Sequence, residues 1–385
     1  MQNSGSRRTM TPPAPYDRWL IYVVLCLAAF GLLMVASASI VVSDQQLHQP
    51  FYYFYRQLTY LIIGTLIGSL IVQLDMEFWE KISGALLGAA MLLLALVLLP
   101  GIGHAVNGSS RWIGLGPIGI QVSELAKFAV VVYMAGYLVR RNHEIKTSFS
   151  GFLKPFGLLA IIAVLLLKEP DFGATVVIMA TALGMMFLAG MQLRHFLLLL
   201  GGVLIALSIL AVSEPYRLAR LTTFMNPWAN AFNSGYQLTQ SLIAFGRGGW
   251  YGVGLGNSIQ KLFYLPEAHT DFLFAVIAEE LGLIGMLVMI SLFTLLVLRI
   301  FFIGKQAQRL GHHFAGFAAY GFGLWIAFQF TVSIGVNCGI LPTKGLTLPL
   351  VSYGGSSMLV NCLVIAVLLR IDYENRMMIL GLRDA

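Results

Sequence analysis

The stretch Trp19-Leu-Ile-Tyr-Val-Val-Leu-Cys-Leu-Ala-Ala-Phe-Gly-Leu-Leu-Met-Val-Ala-Ser-Ala-Ser-Ile-Val-Val42 contains no charged residue. A helix of about 20 apolar residues is long enough to cross the hydrocarbon core of a bilayer. This run follows a polar, proline-containing start and is longer than the apolar region of a cleavable signal peptide. It therefore predicts a transmembrane helix close to the N-terminus.

Apolar blocks of similar length recur along the rest of the chain. Hydrophobic residues make up 58% of the 385 residues and charged residues 11%, and the mean hydropathy is +0.81. This is too little charge to cover a soluble globule of that length. The sequence predicts an all-α, polytopic integral membrane protein of about ten transmembrane helices, one of which contains Pro155. The predicted spans are 19–42, 57–74, 82–99, 123–139, 152–167, 172–191, 195–213, 271–298, 314–337 and 350–369.

Lysine and arginine are distributed unevenly between the predicted loops. Short loops such as 140–151 and 299–313 are basic, and basic loops remain on the cytoplasmic side of a membrane. Both termini are then cytoplasmic, and this topology explains the net charge of +7 without a nucleic-acid partner. The three cysteines show neither metal-ligand nor disulfide spacing. We expect a cytoplasmic tail (1–18), a transmembrane domain (19–371) and a second cytoplasmic tail (372–385).

The longest segment between predicted spans, 214–270, lies on the outer side and is not a polar linker. It contains aromatic residues such as Trp228 and Trp250, which favour a membrane interface. We expect short helices lying on the outer leaflet and no separate domain. The glycine-rich stretch 246–256 is a poor phosphate cradle, because no strand precedes it and no Lys-Ser/Thr pair follows. A flexible, turn-rich loop is the simpler interpretation.

Ionisable residues are costly inside a membrane, and here they cluster at the outer ends of spans. Glu124 and Lys127 are three residues apart, so their side chains can pair on one helix face. Asp271 opens the eighth span, with Glu279 and Glu280 further in. Helix geometry predicts that Glu279 shares a cavity with Asp271, whereas Glu280 meets a different helix.

Asp271 has two interpretations at the membrane edge. A partly desolvated carboxylate is a good proton acceptor, which would make Asp271 a general base. The alternative, favoured by spacing alone, is that Asp271 caps the N-terminus of the eighth helix. The neighbouring His269 is more typical of a loop residue satisfied by hydrogen bonds than of a catalytic base.

Several basic residues lie on the outer side, where lysine and arginine are usually scarce. Together they suggest an anionic ligand such as a phosphate. Contact with lipid headgroups, or ion pairs with Glu214 and Glu267, explains them equally well. These residues are Arg111, Arg217, Arg220, Arg247, Lys261 and Lys344.

Eight specific motifs lie between Asn107 and Ser357, within a resemblance that runs from about the first span to Arg370. They are Asn107-Gly-Ser-Ser-Arg-Trp-Ile113, Ser123-Glu-Leu-Ala-Lys127, Glu169-Pro-Asp-Phe-Gly-Ala174, Thr223-Phe-Met-Asn-Pro-Trp228, Gly235-Tyr-Gln237, Gln240-Ser-Leu-Ile-Ala-Phe-Gly-Arg-Gly248, Leu265-Pro-Glu-Ala-His-Thr-Asp271 and Pro342-Thr-Lys-Gly-Leu-Thr-Leu-Pro-Leu-Val-Ser-Tyr-Gly-Gly-Ser-Ser357. In these motifs the chain resembles the SEDS family of bacterial shape, elongation, division and sporulation proteins. Thr343-Lys344 is similar to the division branch, because elongation members usually have an apolar pair there. Ala174 departs mildly from the family, which often has Thr at this point.

The resemblance implies a peptidoglycan glycosyltransferase that polymerises lipid II, with Asp271 as general base and a lipid pyrophosphate as leaving group. It also implies a class B penicillin-binding protein (the septal transpeptidase) and other division proteins as partners, in the cytoplasmic membrane at the septum. A divalent cation, Mg²⁺ or Mn²⁺, could share the pyrophosphate charge. The residues expected to contact substrate are Arg111, Trp112, Glu124, Lys127, Arg217, Arg247, Lys261, Glu267, His269 and Lys344.

Two other functions are compatible with the sequence. A lipid II flippase would also use intramembrane charges, but it needs polar groups along a path from the cytoplasmic side, and the candidates here lie mostly at outer ends. A non-catalytic scaffold that recruits the transpeptidase would not need the Asp271 carboxylate. Trp112 fits either stacking on a sugar ring or anchoring at the interface.

Overall fold

The structure is a computed structural model that describes residues 16–101, 103–106, 109–115, 118–147, 150–212, 222–343 and 345–382. Its main helices are α1 (Arg18–Leu47), α2 (Tyr52–Ile71), α3 (Met76–Val97), α4 (Val122–Arg140), α5 (Asn142–Thr147), α6 (Ser150–Lys168), α7 (Phe172–Leu188), α8 (Leu193–Val212), α9 (Tyr236–Gly248), α10 (Leu273–Arg309), α11 (His313–Asn337) and α12 (Gly355–Ile379). A 3₁₀ turn (Pro227–Asn230) and a π-helical turn (Gln260–Tyr264) flank α9.

Each predicted span coincides with one of these helices, so the predicted membrane fold is confirmed. Eight of the described helices are long and apolar enough to cross a bilayer, and α7 is a shorter apolar helix. The tenth, α6, contains Pro155 and yet runs from Ser150 to Lys168. Proline is tolerated there because neighbouring groups in a helical bundle can satisfy the freed backbone.

The helices differ in how much of their surface faces the rest of the protein. In the most apolar 18-residue stretch of α4, 83% of the residues are buried inside the protein, against 6% in the corresponding stretch of α8. Phe128 of α4 stacks on Phe322 of α11 with ring centroids 5.4 Å apart. The bundle is therefore built around α4, and α8 lies at its periphery.

Small residues set the crossing of α2 and α12. A Cβ added at Gly64 would lie 2.8 Å from the sulfur of Cys362, and one added at Gly68 would lie 3.4 Å from Ala366 Cβ. Close backbone approach at small residues is a general device of membrane helix packing, because apolar burial alone does not drive association in lipid. This crossing fixes α2 against the start of α12.

A small antiparallel sheet, β1 (Gly103–Val106), β2 (Ser109–Leu115) and β3 (Ile118–Gln121), lies between α3 and α4. The hydropathy pattern does not predict this sheet, because its strands are short and lie outside the apolar blocks. Ser356, at the start of α12, accepts from the Gln121 amide (2.8 Å) and donates to the Gly119 carbonyl (3.1 Å). The sheet is thereby held over the outer ends of the helices.

Helix α9 runs inward alongside α10; the expected orientation, flat on the outer leaflet, is not observed. Ser241 donates to the Asn337 carbonyl at the outer end of α11 (2.8 Å). Arg247, two turns later, pairs with Glu279 (2.7 Å), which lies about 9 Å along the axis of α10 from its first residue, Leu273. The end of α9 is therefore deeper than its start.

The glycine-rich stretch after α9 packs into a break in α10, so the expectation of a flexible loop is wrong. At Gly282 the α10 backbone has φ +64°, outside the helical region. The amides of Val253 and Gly254 donate to the carbonyls of Glu279 (2.9 Å) and Glu280 (3.0 Å). The loop thus satisfies backbone groups that the break releases inside the membrane.

The cytoplasmic end of the bundle extends beyond the predicted domain boundary at residue 371. Helix α12 continues to Ile379, and Glu374 is buried against the start of α3, where it accepts from the Met76 amide (3.1 Å). Arg370 pairs with both Glu374 and Asp75. Residues 372–379 are therefore part of the folded domain and not of a tail.

Gly282→Ala should destabilise the protein strongly. An added Cβ would lie 2.4 Å from the Gly252 nitrogen, at a φ that side chains rarely adopt. We expect the free energy of unfolding to fall by at least about 2 kcal/mol, measured as thermal unfolding in detergent. Gly201→Ala in α8 is the matched control, because a Cβ there meets nothing within 4 Å, and it should change stability by less than about 1 kcal/mol. Equal stability of the two variants would contradict the packing described for the loop.

Candidate active site

A cavity of about 1360 Å³ opens among the outer ends of the helices. Its walls come from α1, α2, α4 and the sheet, and from the segments that precede α7, α10 and α12. Its lining includes charged and aromatic side chains as well as apolar ones. The lining residues include Tyr53, Arg56, Arg111, Trp112, Glu124, Lys127, Asp171, Glu267, His269, Asp271, Gly345 and Tyr353.

Asp271 lies in the turn that leads into α10 and is half-buried at the cavity. The helix begins at Leu273 with Phe272 at its N-cap position, so Asp271 does not occupy that position as the capping interpretation required. Asn337 instead accepts from the Ala275 amide (3.1 Å) and donates to the Asp271 carbonyl (3.0 Å). The Asn337 side chain therefore holds the turn that carries Asp271.

The Asp271 carboxylate packs against a glycine. A Cβ added at Gly345 would lie 2.8 Å from Asp271 Oδ2, which is closer than unbonded carbon and oxygen atoms approach. The carboxylate can occupy its place at the cavity only because residue 345 has no side chain.

His269 forms part of an aromatic wall close to Asp271. Its ring lies 4.6 Å from Tyr53 and 5.6 Å from Tyr353, measured between centroids. Burial lowers the pKa of His269 below its ordinary value, against the opposite effect of the Glu267 carboxylate. His269 is therefore a neutral wall residue, whereas Glu267 is exposed and accepts from Thr270 Oγ1 (2.7 Å).

The predicted pair of Glu124 and Lys127 forms at the cavity wall. The Lys127 ammonium lies 2.8 Å from Glu124 Oε1, and both side chains are buried. Lys127 also donates to Gln329 Oε1 (2.8 Å), and Gln329 donates to the Thr347 carbonyl (2.9 Å). Through Gln329 of α11, this network links α4 to the segment before α12, so it orders two walls of the cavity.

Arg111 and Trp112 extend from β2 into the cavity. The Arg111 guanidinium donates to the carbonyls of Glu169 (2.9 Å) and Pro170 (2.7 Å). A Cβ at Gly119, on the paired strand, would lie 3.2 Å from the Trp112 ring. The sheet therefore presents one cation and one indole to the cavity, and their contact with substrate stays a prediction.

The structure does not bring Arg247 and Lys261 to this cavity, which corrects their assignment as substrate-binding residues. Arg247 pairs with Glu279, and Lys261 pairs with Glu280 (both 2.7 Å). The two carboxylates are fully buried, and a buried charge without a partner is strongly unfavourable. These cations stabilise the fold, and neither lines the cavity.

The expectation that Glu279 shares a cavity with Asp271 is wrong. Glu279 is enclosed by Arg247, Ser258 and the amides of Ile259 (3.0 Å) and Gln260 (3.3 Å). Residues 258–260 of the loop before α10 therefore surround the Glu279 carboxylate. Glu280 does meet a different helix, as predicted, because Ser37 of α1 donates to it (2.8 Å).

Two of the expected contact residues, Arg217 and Lys344, lie outside the residues that the structure describes, as does Arg220. Thr343 and Gly345, on either side of Lys344, both line the cavity. Over the described ranges, no group of three or more histidine, cysteine or acidic side chains could hold a metal ion. A divalent cation that shares the pyrophosphate charge stays a prediction, because Mg²⁺ is commonly held by one or two carboxylates together with substrate phosphates.

Sequence reasoning missed three residues that shape this site: Arg56, Tyr353 and Asn337. Arg56 carried a usable signal, because it directly precedes the second predicted span on the outer side, where arginine is usually scarce. Asn337 and Tyr353 carried none, because their roles depend on contacts with residues 62 to 84 positions away in the chain.

Glu169 is a buried carboxyl behind the cavity wall, in the turn between α6 and α7. In the described part of the chain, neither of its carboxyl oxygens has a hydrogen-bond partner. Burial raises the pKa of Glu169 to about 8, helped by the Asp171 carboxylate and opposed by Arg111. Glu169 is therefore held largely as the neutral acid near neutral pH.

Comparison with known proteins places this site in a family. A sequence model described as "Cell cycle protein", of the FtsW, RodA and SpoVE type, matches residues 17–377. The chain belongs to the FtsW/RodA/SpoVE family. Among its relatives, the "Probable peptidoglycan glycosyltransferase FtsW" of Legionella pneumophila is 58% identical over 99% of this chain and 97% of its own. The protein of the same name from Coxiella burnetii is 56% identical over 93% and 96%.

Solved structures of family members share the fold. One, described as "Structural coordination of polymerization and crosslinking by a peptidoglycan synthase complex", has a TM-score of 0.78 at 28% identity and covers 94% of this chain and 98% of its own. The crystal structure of the Thermus thermophilus rod shape determining protein RodA has a TM-score of 0.68 at 27% identity, over 94% and 97%. The family fold is thus retained at low identity.

The buried Glu169 carboxyl predicts a pH dependence of stability. Between its ordinary pKa of 4.5 and about 8, the folded protein holds a proton that the unfolded chain has released. Stability therefore falls as pH rises through this window, by up to about 1.4 kcal/mol per pH unit. Glu169→Gln removes the titration, so its stability relative to wild type should rise steadily from about pH 5 to about pH 8, measured as thermal unfolding in detergent.

The exposed Glu267, on the same outer face, provides the control. Glu267→Gln should keep the wild-type slope of stability against pH. If Glu169→Gln also keeps that slope, Glu169 is ionised in the folded protein and the assignment of its neutral form is wrong.

Proposed function

We propose that this protein is a peptidoglycan glycosyltransferase that polymerises lipid II, a disaccharide-peptide carried on undecaprenyl pyrophosphate. The observation that carries the proposal is the position of Asp271, whose carboxylate lines an outward cavity together with the cation Arg111. The names of the relatives, at 56% to 58% identity over nearly the whole chain, support the same reaction.

The reaction requires a base and a positive charge, and the cavity contains both. Asp271 takes the proton from the 4-hydroxyl of the acceptor sugar as its oxygen bonds to the anomeric carbon of the donor. The bond from that carbon to the lipid pyrophosphate breaks, and the pyrophosphate leaves with the bonding electrons. Arg111, already fixed by two backbone carbonyls, stabilises the charge that develops on the leaving group.

The rest of the cavity orders these two groups. Asn337 holds the turn of Asp271 from α11, and the Lys127 network joins α4 to the segment of Gly345. Catalytic groups on such rigid supports lose little entropy when substrate binds. Trp112 offers an aromatic face at the same opening, suited to one face of a sugar ring.

The cavity position favours an enzyme over a flippase. The lining residues come from the outer ends of α1, α2 and α4 and from outer connecting segments, so the chemistry is concentrated on one side of the membrane. We further propose that the protein acts at the septum of a dividing cell, in the cytoplasmic membrane, with a class B penicillin-binding protein. The similarity to a chain of a peptidoglycan synthase complex supports such a partner.

Asp271→Asn should abolish polymerisation while leaving the fold intact. The amide keeps the shape of the carboxylate but cannot accept the sugar proton, so we expect a loss of roughly 10²- to 10⁴-fold. The measurement is glycan polymer formed from lipid II by purified protein in detergent, with and without the partner transpeptidase. Asp44→Asn is the matched control, because Asp44 is exposed at the outer end of α1 and outside the cavity lining.

Detergent removes the two sides of a membrane, so polymer formation separates an enzyme from a flippase. No polymer from the wild type with its partner would refute the proposed function. Substantial polymer from Asp271→Asn would move the base elsewhere, with Glu267 or His269 next.

Gly345→Ala tests the placement of the carboxylate without changing Asp271 itself. The new methyl group must displace Asp271 Oδ2, which would lie 2.8 Å from it. A misplacement of this order costs roughly 10- to 100-fold in turnover, and we expect lipid II binding to change much less. Gly246→Ala is the control, because a Cβ at that helical glycine meets nothing within 4 Å. Wild-type turnover by Gly345→Ala would show that the observed carboxylate position is not required.

A further inference from the structure

Arg56 is a cation at the cavity that the mechanism above does not use. It lies one turn into α2, at the outer end of the helix, and it lines the cavity. Its guanidinium donates to the hydroxyls of Tyr52 (3.1 Å) and Tyr60 (2.9 Å). Both acceptors are neutral, and the two bonds use two of the five N–H donors that a guanidinium carries.

The surroundings of Arg56 differ from those of three other cations on this side. Lys127, Arg247 and Lys261 each pair with a buried glutamate. In the described part of the chain, no carboxylate forms an ion pair with Arg56 or with Arg111, and both arginines line the cavity. The two arginines therefore keep a positive charge that no described carboxylate neutralises.

The position of the Arg56 guanidinium is fixed by the packing of Tyr60. That ring is buried against the start of α12, where a Cβ at Gly355 would lie 2.4 Å from it. Tyr60 lies one turn deeper than Arg56 and Tyr52 one turn nearer the outer end of α2, so the two hydroxyls hold the guanidinium between them beside the cavity. Gln57, between them, donates to the Ser352 carbonyl (3.1 Å) and makes this wall rigid.

We propose that Arg56 binds the pyrophosphate of a lipid-linked substrate on the α2 wall of the cavity, a different wall from the sheet that carries Arg111. The inference rests on the proposed function. Polymerisation brings two lipid-linked molecules together, so two pyrophosphates need positive charge. A guanidinium held by neutral acceptors, with donors to spare, suits the planar two-point recognition of a phosphate.

The test measures binding separately from turnover. In the Asp271→Asn background, the affinities for lipid II and for undecaprenyl pyrophosphate are measured with Arg56 intact and with the substitutions Arg56→Gln and Arg56→Lys. Loss of charge-assisted hydrogen bonds should weaken both affinities roughly 10- to 100-fold for Arg56→Gln. Arg56→Lys should weaken the two affinities less, because the charge remains and only the planar pair of N–H donors is lost.

Two further variants isolate the cause. Tyr60→Phe removes one acceptor that positions the guanidinium while keeping the ring, and it should weaken binding severalfold. Lys168→Gln is the matched control: Lys168 is an exposed outer-side cation that does not line the cavity, so binding should stay at the wild-type level.

Kinetics of the Asp271-containing enzyme distinguish the two sources of pyrophosphate. If Arg56 holds the donor, Arg56→Gln weakens product inhibition by undecaprenyl pyrophosphate. If it holds the acceptor, KM for lipid II rises and product inhibition is unchanged. Either result supports the proposal.

Unchanged affinity for both lipids in a folded Arg56→Gln protein would overturn the proposal and leave Arg56 as a packing partner of Tyr60. Should that variant fail to fold, unchanged affinity in both Arg56→Lys and Tyr60→Phe would overturn it equally. A wild type that binds but makes no polymer refutes the proposed glycosyltransferase and not the pyrophosphate site, so the two failures are distinguishable.

Discussion

Glu279 and Glu280 are adjacent, fully buried carboxylates at the point where α10 is broken. Charges inside a membrane protein must be paired, and adjacent residues leave a helix in different directions. Glu279 therefore forms an ion pair with Arg247 at the end of α9. Glu280 forms an ion pair with Lys261 and accepts a hydrogen bond from Ser37 of α1. Together these contacts fasten both sides of the loop between α9 and α10 to the bundle.

The turn that carries Asp271 directly follows this fastened loop. Its other support is Asn337, which bonds to both Asp271 and Ala275. The carboxylate is thus presented at the cavity by a segment fixed at two points, and Gly345 leaves room for it. A mobile loop would offer the same carboxylate without a defined position, and a general base needs defined geometry before its basicity matters.

Five of the outer-side cations in the described part of the chain fall into two groups, according to the acceptors that hold them. Lys127, Arg247 and Lys261 are held by glutamates, and their charge is used to stabilise the fold. Arg56 and Arg111 are held by phenol hydroxyls and backbone carbonyls, which position a guanidinium without cancelling its charge. Charge that remains uncancelled in a partly desolvated cavity attracts anions more strongly than the same charge in water.

Helix length and spacing along one helix were enough to predict the ten spans, the pairing of Glu124 with Lys127 and the separation of Glu280 from Asp271. The packing in three dimensions was needed to show that α9 runs inward, that Arg247 and Lys261 pair with Glu279 and Glu280 away from the cavity, and that Arg56 lines it. Each of these depends on which charges lie close together in space, and a break at Gly282 changes that arrangement in a way that periodicity along the chain does not encode.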